Sequence, residues 1–137
     1  MADFQSETKR IRQNAESVYL MLSDLNNLEK IKSRIPQDKV KNLEFDADTL
    51  RATVDPIGTI SFRVVDRTPH TTIKYKTENS PFELFLWIQL KQLEEKETAV
   101  RVTIHADLNP FVLGMVSKPL QEGVDKIADL LTKINFE

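Results

Sequence analysis

The last quarter of the chain, residues 109–136, carries the hydrophobic period of one long amphipathic helix. Its apolar residues recur in steps of three and four, which places them on one helical stripe: Val116, Leu120, Val124, Ile127, Leu131 and Ile134. Asn109 and Pro110 form a typical helix start, because asparagine caps free backbone N–H groups and proline suits the first helical position. Pro119 lies inside the stretch and removes a hydrogen bond, so we expect it to kink the helix or divide it in two.

Two shorter helical segments are predicted near the beginning of the chain, after an opening strand over residues 4–11. Asn14 is a suitable cap for the first helix, whose apolar stripe follows at helical spacing: Val18, Met21, Leu22 and Leu25. After a polar break, residues 28–35 predict a second short helix. Pro36 ends it, because proline disfavours helix in the residue before it.

Between the short helices and the long one, the hydrophobic period changes from the helical value of about 3.6 residues to the strand value of about 2. Six alternating segments are separated by turns at residues 46–48, 55–58, 66–69, 79–81 and 94–97. Such short connections imply an antiparallel meander, because parallel neighbours need long crossover connections. With the opening strand, this predicts a curved sheet of seven strands closed by the long helix. A pocket remains between sheet and helix unless large side chains fill it.

The face of the sheet that carries Phe85 and Trp87 depends on the turn over residues 94–97. If the turn has an odd effective length, Leu86 shares a face with Ile104, and the two aromatic rings point outward. An even length brings Trp87 beside Ile104 instead, because a slip of one residue exchanges the faces of a strand. In the outward case the rings would form an exposed apolar patch of the kind used in self-association.

The composition indicates one ordinary globular domain, which we place at residues 1–137: 40% of the residues are apolar and 29% are charged. A net charge of −2 argues against a nucleic-acid-binding protein, which normally presents a basic surface. No signal peptide is recognised, and no window approaches the roughly 20 apolar residues that span a bilayer. Since the sequence also lacks cysteine, we expect a cytoplasmic protein without integral membrane association.

No pattern of catalytic or metal-binding residues stands out. His70 and His105 lack the local spacing of a metal site, and the sequence has no cysteine to complete one. The glycines lie too far apart for a phosphate-binding loop, and no G-x-S-x-G motif marks a hydrolase nucleophile. The carboxylates cluster at turns, where turn formation explains them better than acid–base catalysis. We therefore expect no catalytic residue, no metal and no cofactor.

Three segments of the sequence resemble those of one superfamily. Residues 14–25 read N-A-E-S-V-Y-L-M-L-S-D-L and are similar to an opening "A-x-x-V-(aromatic)-x-x-L-x-D" pattern. Residues 98–102, T-A-V-R-V, resemble a "T-x-V" last strand, and residues 109–121 resemble the start of a long closing helix. The chain thus resembles the helix-grip superfamily of START domains, birch-pollen-allergen (Bet v 1) type proteins and polyketide cyclase-like proteins. The resemblance implies an α+β fold, with a seven-stranded curved antiparallel sheet around the C-terminal helix and two short helices between strands 1 and 2.

Proteins of this superfamily typically bind lipids, sterols, quinones, polyketides or other apolar molecules between sheet and helix, and a minority are enzymes. The resemblance therefore implies a carrier or sensor of a small apolar or amphipathic ligand, such as a lipid or a polyketide-like molecule. Two alternatives stay open at this point. One is a polyketide cyclase- or aromatase-like enzyme that uses the same cavity. The other is a protein-interaction or dimerisation module, which would form a homodimer through the outer face of the sheet.

We expect the ligand cavity to be lined by residues of the strands and of the closing helix: Phe62, Tyr75, Leu86, Trp87, Ile88, Ile104, Met115, Val116 and Leu120. Tyr75 and Trp87 would each direct one polar group at a ligand. Gly114 and Pro119 weaken the front half of the long helix. We therefore expect that half to form a movable lid, while residues 124–134 anchor the helix.

Overall fold

The computed structural model describes residues 2–35, 38, 40–54, 58–78 and 83–134. Within these ranges the strands are β1 (Ala2–Gln5), β2 (Lys9–Ile11), β3 (Val40–Phe45), β4 (Thr49–Val54), β5 (Gly58–Thr68), β6 (Thr72–Glu78), β7 (Leu84–Glu94) and β8 (Glu97–Ala106). The helices are α1 (Ala15–Leu22), α2 (Leu28–Ile31) and α3 (Pro110–Leu131), and short 3₁₀ turns, Leu25–Asn27 and Lys32–Arg34, flank α2. The predicted turns at 55–58 and 79–81, and Pro36, fall wholly or partly outside the described residues.

The described strands join one antiparallel sheet in the order β1-β8-β7-β6-β5-β4-β3, and β2 also pairs with β8. The strands β3 to β8 form the predicted meander, and α3 closes the curved sheet. The short helices stand between β2 and β3, because the predicted opening strand corresponds to β1 and β2 together. The helix-grip arrangement expected from the sequence is confirmed.

The opening strand is divided at Ser6, and the sequence prediction of one continuous strand over 4–11 is corrected accordingly. The Ser6 N–H donates to the Val102 carbonyl at 2.9 Å, as in a regular ladder. The Val102 N–H, however, donates to the Ser6 hydroxyl at 3.0 Å instead of to a backbone carbonyl. A side-chain oxygen therefore keeps the ladder satisfied where β1 ends, and β2 resumes the pairing with β8 three residues later.

One face of the sheet, which we call the inner face, packs against the helices. Its side chains form a single cluster with residues of α1 and α3: Ile73, Tyr75, Leu86, Ile88, Val102 and Ile104 on the sheet, and Val18, Leu120 and Val124 on the helices. α3 packs against β8, β1 and β2, and α1 packs against β7. Asn14 caps α1 as predicted, since its side-chain oxygen accepts the Ser17 N–H at 2.8 Å.

Two bulges set which side chains reach the inner face. Between Gln92 and Glu94 the register of β7 on β8 shifts by one residue, so that Leu93 has no partner of its own. The shift places Leu86 opposite Ile104, which is the odd-length alternative of the sequence analysis. A similar shift on either side of Val65 lets β5 continue to Thr68, so the predicted break at residues 66–69 comes too early.

Phe85 and Trp87 therefore point to the opposite, outer face of the sheet. Their ring centroids are 5.9 Å apart. Lys74 Nζ lies 4.9 Å from the Phe85 centroid and 5.2 Å from the Trp87 centroid, and Lys76 Nζ lies 5.7 Å from the Phe85 centroid. Both aromatic residues are half-buried as a result. The lysines cover the rings, so the outward orientation does not produce the open apolar patch that the sequence suggested.

α3 is continuous from Pro110 to Leu131, so Pro119 does not divide it. The helix begins as predicted, because the Asn109 side-chain oxygen accepts the Val112 N–H at 2.9 Å. Proline lacks the N–H that would bond the fourth carbonyl before it, so the hydrogen-bond ladder has a gap inside an otherwise regular helix. Among the described helices, none has the length and apolar character needed to cross a membrane.

Candidate functional site

Most of the predicted lining residues lie on the inner face or on the side of α3 turned toward it. Those that are buried belong to one core cluster: Tyr75, Leu86, Ile88, Ile104 and Leu120. Phe62 on β5 and Val116 on α3 are partly buried and pack against that cluster. The structure thus brings these residues together on one side of the sheet, and their contact with a ligand stays a prediction.

Trp87 and Met115 lie elsewhere, and their assignment to the cavity is corrected. Trp87 is on the outer face, because the bulge at Leu93 fixes the register of β7. Met115 is 66% exposed, because one residue step of about 100° around the helix separates it from Val116. Phe111, one helical turn before Met115, is 79% exposed on the same side of α3.

The helices do not cover the inner face evenly. α3 packs at the side of the sheet formed by β8, β1 and β2. Further along the sheet, Leu50 on β4 and Phe62 on β5 contact the core but remain partly exposed, as do Leu113 and Val116 on α3. These four side chains, which we call the open rim, are apolar residues of the inner side that stay partly accessible. Leu50 and Leu113 were not predicted, although Leu50 faces Phe62 directly across β4 and β5.

Tyr75 brings a polar group into this apolar surface. It lies opposite Leu86 on β7 and Val64 on β5, and only 2% of the residue is exposed. Its hydroxyl makes no hydrogen bond within the described part of the chain. Burial raises the pKa of Tyr75 well above its usual range, and the positive charge of Arg67 opposes this only in part. The phenol therefore keeps its proton and remains a hydrogen-bond donor.

Arg67 ties the end of α1 to the turn between β3 and β4, close to Tyr75. Its guanidinium donates to the Ser23 carbonyl at 2.9 Å and 3.0 Å and to the Ala47 carbonyl at 3.3 Å. It also pairs with the Asp48 carboxylate at 2.7 Å. Because these contacts occupy the guanidinium, Arg67 serves to position the surrounding backbone, and no sequence motif marked this role.

The comparison with known proteins is informative for structure only. No protein-family model and no curated protein matches the sequence significantly. The structure is similar to truncated norcoclaurine synthase from Thalictrum flavum, with a TM-score of 0.75, 12% identity, and coverage of 96% of this chain and 91% of that chain. The chain has the helix-grip fold. A START superfamily protein from Mycobacterium smegmatis has a TM-score of 0.57 and 15% identity, with coverage of 91% of this chain and 98% of that chain. The di-domain ARO/CYC BexL from the BE-7585A biosynthetic pathway has a TM-score of 0.71 and 14% identity, with coverage of 97% of this chain and 46% of that chain.

Within this helix-grip fold, few titratable groups of the described residues are buried. Among the described residues that are buried, Tyr19 and Tyr75 are the ones with a titratable side chain. Tyr19 packs edge-on against His70, with 5.5 Å between the ring centroids. His105 lies on the outer face, where Nδ1 is 2.5 Å from an Asp3 carboxylate oxygen. The buried residues of the inner side are therefore mainly apolar.

The structure also contains a cavity away from the predicted site, which the sequence did not predict. A cavity of about 220 Å³ lies between the 3₁₀ turn after α2 and β3, and it is lined by Lys32, Ile35, Val40, Asn42 and Leu43. It is smaller than the roughly 300–1,000 Å³ typical of pockets for drug-sized ligands. The cavity adjoins a register shift in β3 at Asn42, which has a φ of 56°. The register shift could not be predicted from the residue type at this position, because asparagine is also common in ordinary turns.

Proposed function

We propose that the chain is a carrier or sensor that binds a small apolar or amphipathic ligand, such as a lipid or a polyketide-like molecule, between the inner face and α3. The observation that carries the proposal is the open rim: Leu50, Phe62, Leu113 and Val116 are apolar, turned inward and only partly covered. Partly covered apolar surface gains free energy when an apolar molecule displaces water from it. We also propose a cytoplasmic location, on the basis of the cysteine-free sequence.

A binding role is better supported than a cyclase-like enzyme, although BexL, an ARO/CYC protein, has a similar fold. Cyclisation or dehydration needs a general acid and a general base within reach of one substrate. Tyr75 supplies a proton donor with a raised pKa, and Tyr19 is the other buried titratable group in the described chain. Because burial raises the pKa of Tyr75, this phenol can act as the acid but does not supply the base near neutral pH.

Binding of a neutral fluorescent probe tests the proposal directly. N-phenyl-1-naphthylamine brightens in apolar surroundings, and we expect it to bind the wild-type chain saturably. Val116→Phe adds bulk on the open rim and should weaken binding on the order of tenfold, equivalent to about 1.4 kcal/mol. The matched control is Val65→Phe, because Val65 is 49% exposed at the β5 bulge and away from the rim.

Two outcomes of this experiment contradict the proposal. One is the absence of saturable binding by the wild type. The other is equal weakening by Val116→Phe and Val65→Phe, since that would place the probe elsewhere on the surface. Circular dichroism and urea unfolding of each variant show that the fold is intact. Native mass spectrometry of the purified protein, before and after extraction with organic solvent, then identifies any ligand retained from the cell.

A further inference from the structure

The hydroxyl of Tyr75 is a polar group that the packing of the protein leaves without a partner. The residue is 2% exposed, and its hydroxyl makes no hydrogen bond within the described chain. A hydroxyl without a partner in the protein needs water or a ligand to satisfy it, and it costs roughly 1–3 kcal/mol of folding free energy if neither reaches it. Phenylalanine would provide the same ring without this cost, so packing alone does not explain a tyrosine at this position.

The hydroxyl oxygen also touches accessible space. No fully buried side-chain oxygen or nitrogen of the described residues lacks a hydrogen-bond partner. Since the Tyr75 oxygen has no partner, it is not fully enclosed, and the small exposed fraction of the residue includes it. Phe62 lies on the neighbouring strand β5, opposite Thr77, which is two residues after Tyr75. Because side chains alternate between the two faces, Phe62 points to the same face as Tyr75. Tyr75 thus shares the inner face with Phe62 of the open rim.

We infer that Tyr75 is the specificity-determining residue of the site and selects neutral apolar ligands that carry a carbonyl oxygen. This inference rests on the proposed binding function. A protonated phenol donates one hydrogen bond, and a carbonyl oxygen accepts one without bringing a donor that would itself need a partner. On the inner face the strand neighbours of Tyr75 are apolar, with Leu86 and Val64 opposite it and Phe62 on the same side of β5, so the rest of the ligand is apolar too. The nearby positive charge of Arg67 is already held by Asp48, which removes the need for an anionic ligand.

A pair of matched probes tests the inference. The ketone 2-acetylnaphthalene and the hydrocarbon 2-ethylnaphthalene have nearly the same shape, and both are measured by displacement of N-phenyl-1-naphthylamine. Tyr75→Phe removes only the hydroxyl. We expect it to weaken binding of the ketone roughly 3- to 10-fold and to leave the affinity of the hydrocarbon within about twofold. Tyr19→Phe is the matched control, because Tyr19 lies on α1 and packs against His70. This substitution should change neither affinity.

A spectroscopic measurement separates a hydrogen bond from a change of shape. The carbonyl stretching band of bound 2-acetylnaphthalene should lie at lower wavenumber in the wild type than in Tyr75→Phe. Equal effects of Tyr75→Phe on both probes, or an unshifted band, would overturn the role of Tyr75 while leaving the binding function intact. Failure of both naphthalenes and of N-phenyl-1-naphthylamine to bind the wild type would overturn the binding function itself. Urea unfolding of Tyr75→Phe establishes that the variant is folded.

Discussion

Replacing Ser6 by alanine tests how the divided opening strand is held. In the wild type, the Ser6 hydroxyl accepts the Val102 N–H at 3.0 Å and donates to the Glu7 carbonyl at 2.9 Å. Val102 is fully buried, so the alanine variant leaves its N–H without an acceptor and without access to water. The cost of an unsatisfied buried donor is about 1–3 kcal/mol. The backbone bond from the Ser6 N–H to the Val102 carbonyl does not depend on the side chain and should persist.

We therefore expect Ser6→Ala to lower the free energy of unfolding by about 2 kcal/mol, which corresponds to a fall in melting temperature of roughly 6–10 °C. Urea unfolding followed by circular dichroism measures the loss, and hydrogen exchange should show faster exchange at the Val102 amide. Ser33→Ala is the control, because Ser33 is exposed in the 3₁₀ turn after α2. A loss below about 0.5 kcal/mol with an unchanged Val102 amide would refute the reasoning, since another acceptor would then have replaced the hydroxyl.

Three further predictions follow from the described contacts. Lys74→Ala uncovers the Trp87 ring and leaves Phe85 covered by Lys76 alone, so it should cost about 0.5–1 kcal/mol of unfolding free energy and promote self-association; unchanged sedimentation would count against this. Pro119→Ala fills the gap in the α3 ladder and should stabilise the fold by about 1–2 kcal/mol and slow amide exchange at residues 111–117. In the wild type, faster exchange after Pro119 than before it would contradict a movable lid. Hydrogen bonds from the N–H groups of Asp48 and Thr49 lower the pKa of Asp46. The native state therefore gains stability above the ordinary aspartate pKa of about 3.9. That stability is lost as pH falls through the lower folded pKa, and Asp46→Asn should show a smaller drop in urea midpoint between about pH 5 and pH 2; an unaltered pH profile would argue against it.

The sequence predicted the fold where one local rule determines the outcome. Alternation of apolar and polar residues located the strands, because a sheet with one buried face requires a period of two. The helix caps were also predicted correctly. The side-chain oxygens of Asn14 and Asn109 each accept a hydrogen bond from the N–H of the residue three positions later. The position of α3 and its inward stripe followed from the same kind of reasoning, and Leu120 and Val124 are buried as that stripe requires.

Long-range geometry determined what the sequence left open or missed. The two-residue turn Glu95–Lys96 alone would pair Trp87 with Ile104, but the extra residue Leu93 shifts the register and sends Trp87 outward. Leu93 is neither a glycine nor part of a recognisable bulge motif. The face of the sheet that carries Trp87 therefore could not be predicted from the sequence. The missing partner of the Tyr75 hydroxyl is likewise a property of packing, because it depends on side chains from several strands.

The outward position of Trp87 has a practical consequence for experiments on this protein. The chain has a single tryptophan, and the full thickness of the sheet separates its ring from the inner face. Its surroundings on the outer side are Lys74, Phe85 and the His105 ring, whose centroid is 6.5 Å away. Intrinsic fluorescence should therefore report the pairing of β6, β7 and β8 and respond little to a ligand on the inner side that does not absorb the tryptophan emission. Unfolding can then be followed by tryptophan emission in a sample without the dye, because N-phenyl-1-naphthylamine bound across the sheet would quench Trp87 by energy transfer.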